Sequence, residues 1–297
     1  MSIRNLLQDL LSILYKLNYH RWKNKWKFSI LSTEDTISEI INNRLSISRY
    51  GDGEFRIINN DCNGFQEKNQ ELGQRLLEIL HTNEHGHRVC LPHTLFSTQN
   101  MTKGASYFWK SYVGKNKKML WSYIPQNRTY LDSLFTRFYM DYKDKKSCNL
   151  CIKRIKEIWY HRNVFIIEGE HTKLGVGNDL LEGSFSIKRI ICPARNAFSS
   201  YEQILEKAQL YIPKEKDTLI LCALGMTATV LAYDLYKLGY QCIDIGHIDL
   251  EYEWYRMHAT QKCYVKNKAV NELGCNNPNT TIKDKTYEES ILYRITQ

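Results

Sequence analysis

Apolar residues recur at helical spacing through Leu6, Leu7, Leu10, Leu11, Ile13, Leu14 and Leu17, and a basic aromatic stretch with Trp22 and Trp26 follows. That pattern predicts an amphipathic helix. Beyond it, short apolar runs alternate with helix-periodic segments. Strands are expected at 45–50, 89–91, 164–167 and 187–192, and helices at 71–80, 131–140, 150–159 and 201–210. The clearest unit is 218–246. The run TLILCAL reads as a buried strand, Gly225-Met226-Thr227 as a turn, ATVLAYDLYKL as a helix ending at Gly239, and YQCIDIG as a second strand. Strand, turn, helix and strand in that order form a βαβ crossover, which requires a parallel pair. The fold class is therefore α/β, a mostly parallel sheet with helices on both faces, plus the N-terminal amphipathic helix. Three regions are expected: a basic helix at 1–30, one α/β domain at 31–273 and a loose polar tail at 274–297. Ligands in such folds bind at the carboxyl ends of the strands.

Composition narrows the class. The chain has 297 residues, 43% of them hydrophobic and 25% charged, an ordinary globular balance that excludes a mostly disordered chain. Net charge is +9, of which residues 1–30 supply +5 and the other 267 only +4. A nucleic-acid binder needs a basic face on its folded body, so no nucleic-acid partner is expected. The apolar run at the N-terminus is too short and interrupted to span a bilayer. It suits a peripheral membrane surface or packing on its own domain or a partner protein. Nine cysteines are scattered, and Cys148 with Cys151 forms a lone pair short of the four ligands of a structural zinc. A reducing cytoplasm is the expected compartment, with possible attachment to the inner face of the membrane.

Four places carry candidate chemistry. Asp52 and Glu54 follow a strand end; in extended backbone, positions i and i+2 share a side and two carboxylates there grip a hard cation such as Mn²⁺ or Mg²⁺. Gly51 permits close approach and Arg49 adds a cation. The loop from Leu174 to Asp179, with Gly177, Asn178 and Asp179, follows a strand and suits either a phosphate cradle or a plain turn. Gly225 and Thr227 open a helix whose free N–H groups attract an anion. Finally, His247, Asp249 and Glu251 crowd the end of the last strand of the crossover, where a general base toward a hydroxyl is plausible; acids at a helix start explain Asp249 and Glu251 equally well.

Five ordered blocks then resemble the bacterial GT-D family of glycosyltransferases: SRYGDGEF at 48–55, TRFYMDYKDK at 136–145, EGEHTKLGVGNDL at 168–180, SIKRIICPARNAFSSY at 186–201 and the segment 223–254. The resemblance runs from about residue 31 to 273. It implies a Rossmann-like domain using a nucleotide-sugar donor, typically a UDP-sugar, and a divalent metal, with the family's D-x-E motif on Asp52 and Glu54. It further implies that Arg49 or Lys173 and the Gly225–Thr227 turn share the diphosphate charge, and that a glycan or glycoprotein hydroxyl accepts the sugar. Lys173 stands where the family pattern suggests arginine, so a point charge replaces a bidentate fork. Two other readings of the same residues are a metal-dependent nucleotide-sugar hydrolase or phosphotransferase, and a non-catalytic subunit of a glycan-assembly complex.

Overall fold

The computed structural model describes residues 3–62, 64, 66–270, 273–274 and 284–296. In chain order the elements are α1 (Ile3–Trp22), β1 (Ser29–Ile30), α2 (Thr33–Asn43), β2 (Ser46–Arg49), α3 (Asp52–Ile58), α4 (Gln70–His81), β3 (His87–Leu91), α5 (Lys103–Tyr123), β4 (Thr129–Asp132) and α6 (Cys148–Lys156). They continue with β5 (Asn163–Gly169), β6 (Ser186–Cys192), α7 (Tyr201–Tyr211), β7 (Thr218–Ala223), α8 (Met226–Lys237), β8 (Cys242–Asp244), α9 (Ile248–Arg256), α10 (Lys285–Ser290) and β9 (Ile291–Arg294). Among the described residues the strands form one nine-stranded sheet in the order β1-β4-β3-β2-β8-β7-β5-β6-β9. Every pairing in it is parallel.

The central strands are apolar at nearly every position because both faces are covered. Phe165 and Ile167 of β5 join a core with α4, α5, α7 and α8, whereas Val164 and Ile166 join a second core with α2, α6 and α9. The 218–246 crossover forms as expected, with α8 between β7 and β8. At β2 and β8 the connections part: β2 leads on to β3 on one side, and β8 is reached from β7 on the other. That parting opens a crevice at the carboxyl ends of the strands.

Three expectations change. The helix expected over 131–140 does not form. β4 runs to Asp132, whose Oδ1 accepts from Leu134 N at 3.0 Å and closes a 3₁₀ turn at Ser133–Thr136. The apolar residues beyond it, Phe138, Tyr139 and Met140, are buried from irregular backbone.

Of the readings offered for the segment 1–30, packing on its own domain is seen for its second half, so the region expected at 1–30 continues the domain. Tyr19 is buried and its hydroxyl donates to Thr94 O at 3.0 Å. Gly114 of α5 lets the backbones meet, since a Cβ there would lie 1.9 Å from Tyr15 O. Trp26 stacks on Trp121, centroids 5.7 Å apart. Among the described residues, no helix is long and apolar enough to cross a membrane.

The loose tail expected at 274–297 falls partly outside the described residues, but 284–296 is built into the fold. Asp284 caps α10 by accepting from Tyr287 N at 3.1 Å, and β9 pairs with β6 at the sheet edge. The apolar run of Ile291, Leu292 and Tyr293 is enough for a short strand, and its polar flanks hide it in the sequence.

Candidate active site

A cleft of about 900 Å³ runs along the carboxyl ends of β2, β5, β6, β7 and β8 and the turn after β4. It lies at the upper end of small-ligand pockets, roughly 300–1,000 Å³, which suits a ligand larger than one sugar ring. Acids in its wall are Asp52, Glu54, Asp141 and Asp244, and cations are Arg49, Arg137, Arg195 and Lys262, with His171 and His247 nearby. Phe108 and Trp109 of α5 supply aromatic surface.

Arg49 ends β2 and is held from three sides. Its backbone N donates to Asp244 Oδ2 at 3.2 Å and its Nε to Oδ1 at 3.4 Å. Its Nη1 donates to Ser133 O at 3.2 Å and to the Thr136 hydroxyl. Thr229 Oγ1 lies 3.2 Å from Asp244 Oδ2. Burial pushes the Asp244 carboxyl up, and the Arg49 cation opposes the push. Gly246 sits at φ 52°, and a Cβ there would be 2.2 Å from Arg49 Nη2, so only glycine fits beside the guanidinium. Arg49 lines the cleft as expected of a donor contact, but much of its hydrogen-bonding capacity goes to fixing the β2–β8 boundary.

Asp52 and Glu54 both line the cleft, though not from extended backbone. They open α3, with Gly51 as its N-cap, and Glu54 Oε2 accepts from Gly51 N at 2.6 Å. Positions two apart on a helix point roughly 200° from each other, so the shared side expected from extended backbone is lost. The glycines and the chance to cap the first turn favour helix over strand here. Glu54 is half-buried, and its desolvation, with Asp244 close by, pushes its carboxyl up to about 7. Such crowding of desolvated carboxyls is the electrostatic setting in which a bound cation is favoured. No cluster of three or more His, Cys, Asp or Glu among the described residues is placed to hold a metal by protein ligands alone. One or two carboxylates completed by ligand oxygens and water are an ordinary Mg²⁺-type set, so Asp52 and Glu54, both in the cleft wall, suit such a cation by their chemistry although α3 does not set them side by side.

Gly225, at φ 55°, caps α8 with no side-chain bond, and Leu224, Gly225 and Met226 form cleft wall. The positive end of the α8 dipole thus faces the cleft, where it favours an anion, although Ala228 N is already spent on Gly225 O at 3.0 Å. Thr227 is one step deeper, 1% exposed, and does not reach the cleft. Its place as a donor contact is corrected: the helix turns its side chain inward, where Oγ1 lacks a hydrogen-bond partner.

The loop after β5 is a clasp and not a phosphate cradle. Gly169, His171 and Thr172 line the cleft, whereas Lys173, Gly177, Asn178 and Asp179 do not. Asn178 Nδ2 donates to Asp249 Oδ1 at 2.9 Å and Glu253 Oε1 at 2.6 Å. Asp179 accepts from Lys156 Nζ and from the Tyr252 hydroxyl, both at 2.8 Å. Lys173 is buried at φ 51°, and burial lowers its pKa. The loop's polar groups are spent on α6 and α9.

Two of the three expected bases are likewise structural. Asp249 accepts from Gly175 N at 2.9 Å and pairs with buried Lys268 at 2.5 Å. Glu251 is 0% exposed, and its Oε2 accepts from Tyr139 N at 3.0 Å and Met140 N at 2.8 Å. It fixes the irregular segment after β4. Burial raises its pKa. Neither faces the cleft; among the three only His247 does.

Sequence reasoning missed Arg137, Arg195, Lys262 and His171. Arg137 and Arg195 lie inside the blocks TRFYMDYKDK and SIKRIICPARNAFSSY, where the signal was a family-like string without a chemical motif.

This architecture, a parallel sheet with its cleft across the strand ends where the connections part, defines a doubly wound α/β enzyme. The chain belongs to the GT-D family: the family model described as glycosyltransferase GT-D fold matches residues 47–273. It is 34% identical over 263 residues to glycosyltransferase GlyD of Streptococcus pneumoniae serotype 4, covering 88% of this chain and 32% of that protein. It is 34% identical over 275 residues to a probable glycosyl transferase, Gly, of Streptococcus gordonii, covering 91% and 39%. The chain thus spans a third to two fifths of these curated relatives. A solved structure described as domain of unknown function 1792 with a distinct glycosyltransferase fold superposes with TM-score 0.89 at 33% identity, over 95% of this chain and all of that one. Another, described as a new glycosyltransferase from Streptococcus sanguinis, gives 0.85 at 32% over 91% of this chain and all of that one.

Proposed function

We propose that the chain transfers a sugar from a nucleoside-diphosphate sugar, a UDP-sugar, to a hydroxyl of a glycan or glycoprotein, with Mn²⁺ or Mg²⁺ as cofactor. The observation that carries this reading is the charge layout of one cleft: Asp52, Glu54 and Asp244 in its wall together with Arg137, Arg195, Lys262 and the N-terminal end of the α8 dipole. A bound divalent cation, held by Asp52 and Glu54, would supply Lewis-acid neutralisation of the diphosphate. The α8 N–H groups and the cleft arginines bind and orient the phosphate oxygens. Asp244 holds Arg49 in place, and Phe108 or Trp109 offers a stacking face to a base or sugar ring. His247 takes the proton of the acceptor hydroxyl. This chemistry belongs in the cytoplasm, the reducing compartment that scattered cysteines favour.

The test is a thermal-shift series of nucleoside diphosphates and nucleotide sugars with and without Mn²⁺. A ligand at a hundredfold excess over its Kd adds about 2.7 kcal/mol of stability. A metal-dependent shift with UDP and one UDP-sugar, absent in Asp52→Ala, supports the reading. A folded protein that shifts with no nucleotide removes it.

A further inference from the structure

Residues 1–30, which comprise α1 and the basic stretch after it, together with α5 hold all of the chain's net positive charge. Residues 1–30 contribute +5, and α5 contributes a further +5 from Lys103, Lys110, Lys115, Lys117 and Lys118 with no acid. Together they exceed the +9 of the whole chain, so the remaining residues sum to −1.

This same layer presents apolar surface outward. Leu10, Ile13, Leu14 and Leu17 follow the i, i+3, i+4, i+7 spacing and are 49–57% exposed, while Tyr19 on the opposite side of α1 is buried. A helix of a globular domain normally turns such a stripe to its core. Along one flank of the stripe lie Lys16, over the Tyr107 ring at 4.7 Å, and then His20 and Lys23.

A second cavity, about 330 Å³, opens on that flank. His20, Lys23, Lys110 and Lys143 wall it, with the hydroxyls of Ser97 and Ser106 and no acid. Burial together with the Lys110 and Lys23 charges lowers the His20 pKa, as a positive potential requires.

We propose that the α1–α5 face docks on an anionic phospholipid bilayer, with the leucine stripe at the acyl boundary and the lysine-walled cavity on a headgroup phosphate. The pattern of an apolar stripe flanked by lysines is that of an interfacial helix. A second copy of the chain is a poorer occupant, because it sets one strongly basic face against another.

The test uses the full chain without donor or metal, so it stands apart from the proposed reaction. Vesicles of phosphatidylcholine mixed with phosphatidylglycerol should sediment the protein, less so as salt rises, and pure phosphatidylcholine should not. Lys23→Gln and Lys110→Gln should each weaken partitioning about fivefold. Leu14→Glu with Leu17→Glu, both at exposed positions, should abolish it with an unchanged melting temperature. No sedimentation with the anionic vesicles overturns the proposal, and so does equal sedimentation of wild type and every variant. Self-association in solution that Leu14→Glu abolishes, without vesicle binding, overturns it in favour of a second copy.

Discussion

Arg49 and Asp244 join the ends of β2 and β8 by two hydrogen bonds, one from the backbone and one from the side chain. The Asp244 side chain is 4% exposed and so has no water to fall back on, while the Arg49 side chain, 17% exposed, meets water only from the cleft. Removing one partner of such a pair leaves a buried charge and costs about 3–5 kcal/mol. Asp244→Ala should therefore lower the urea midpoint strongly. Gly246→Ala should cost about 1–3 kcal/mol, because φ 52° and the fixed guanidinium both exclude a Cβ. Wild-type stability in either variant would mean the boundary is held elsewhere.

Glu54 has two separable tasks. Its Oε2 caps Gly51 N, and an amide oxygen can do the same, whereas only a carboxylate serves a divalent cation. Glu54→Gln should keep the melting temperature within a few degrees and reduce metal-dependent transfer by about 100-fold or more. Product formation at saturating Mn²⁺, beside a thermal melt, decides between the tasks. Full activity in Glu54→Gln would take the carboxylate out of the metal site.

The proposed base is tested by contrast with its neighbour in sequence. His247→Gln should lower turnover by about 10²–10⁴-fold at unchanged stability. Glu251→Ala should instead destabilise the fold by about 1–3 kcal/mol, since it strands Tyr139 N and Met140 N. Turnover per folded molecule should hold in Glu251→Ala. The reverse pattern would restore Glu251 to the chemistry.

Asp179 makes the clasp after β5 pH-dependent. Its bond from Lys156, together with that from Tyr252, holds its carboxyl down at about 2 against an ordinary 3.8. The folded state prefers the ionised form, so the stabilisation is complete above pH 3.8 and disappears as pH falls through about 2. Asp179→Asn should flatten the stability profile across that acid window. Urea midpoints taken down the acid range will show the difference, and identical slopes would leave the clasp without this contact.

The sheet was legible because its strands are apolar on both faces and its crossover carries turn glycines; 218–246 needed nothing more. The site was legible in part. Asp52, Glu54, Gly225 and His247 line the cleft because strand ends in such folds meet there. Lys173, Asn178, Asp179, Asp249 and Glu251 have the right chemistry beside those strands but point away from the cleft, Asn178 and Asp179 to helices and Asp249 and Glu251 to irregular segments, and direction is a tertiary property that spacing does not encode. Arg137 and Arg195 reach the cleft from irregular backbone, where no period marks an inward face. Ile291–Arg294 passed as tail because a four-residue strand is set by the partner it meets.

That last strand has a bearing on how the family's core behaves as an isolated piece. A fragment trimmed to residues 47–273 keeps the cleft but discards β1 and β9, the short strands at the two margins of the sheet. β6, seven residues long and carrying Ile187, Ile190 and Ile191, would then offer a bare row of N–H and C=O groups to other molecules. Open parallel edges of that length recruit one another. The thirteen residues at 284–296 thus cover the β6 edge, and the bounds of the family match are narrower than those of the closed sheet.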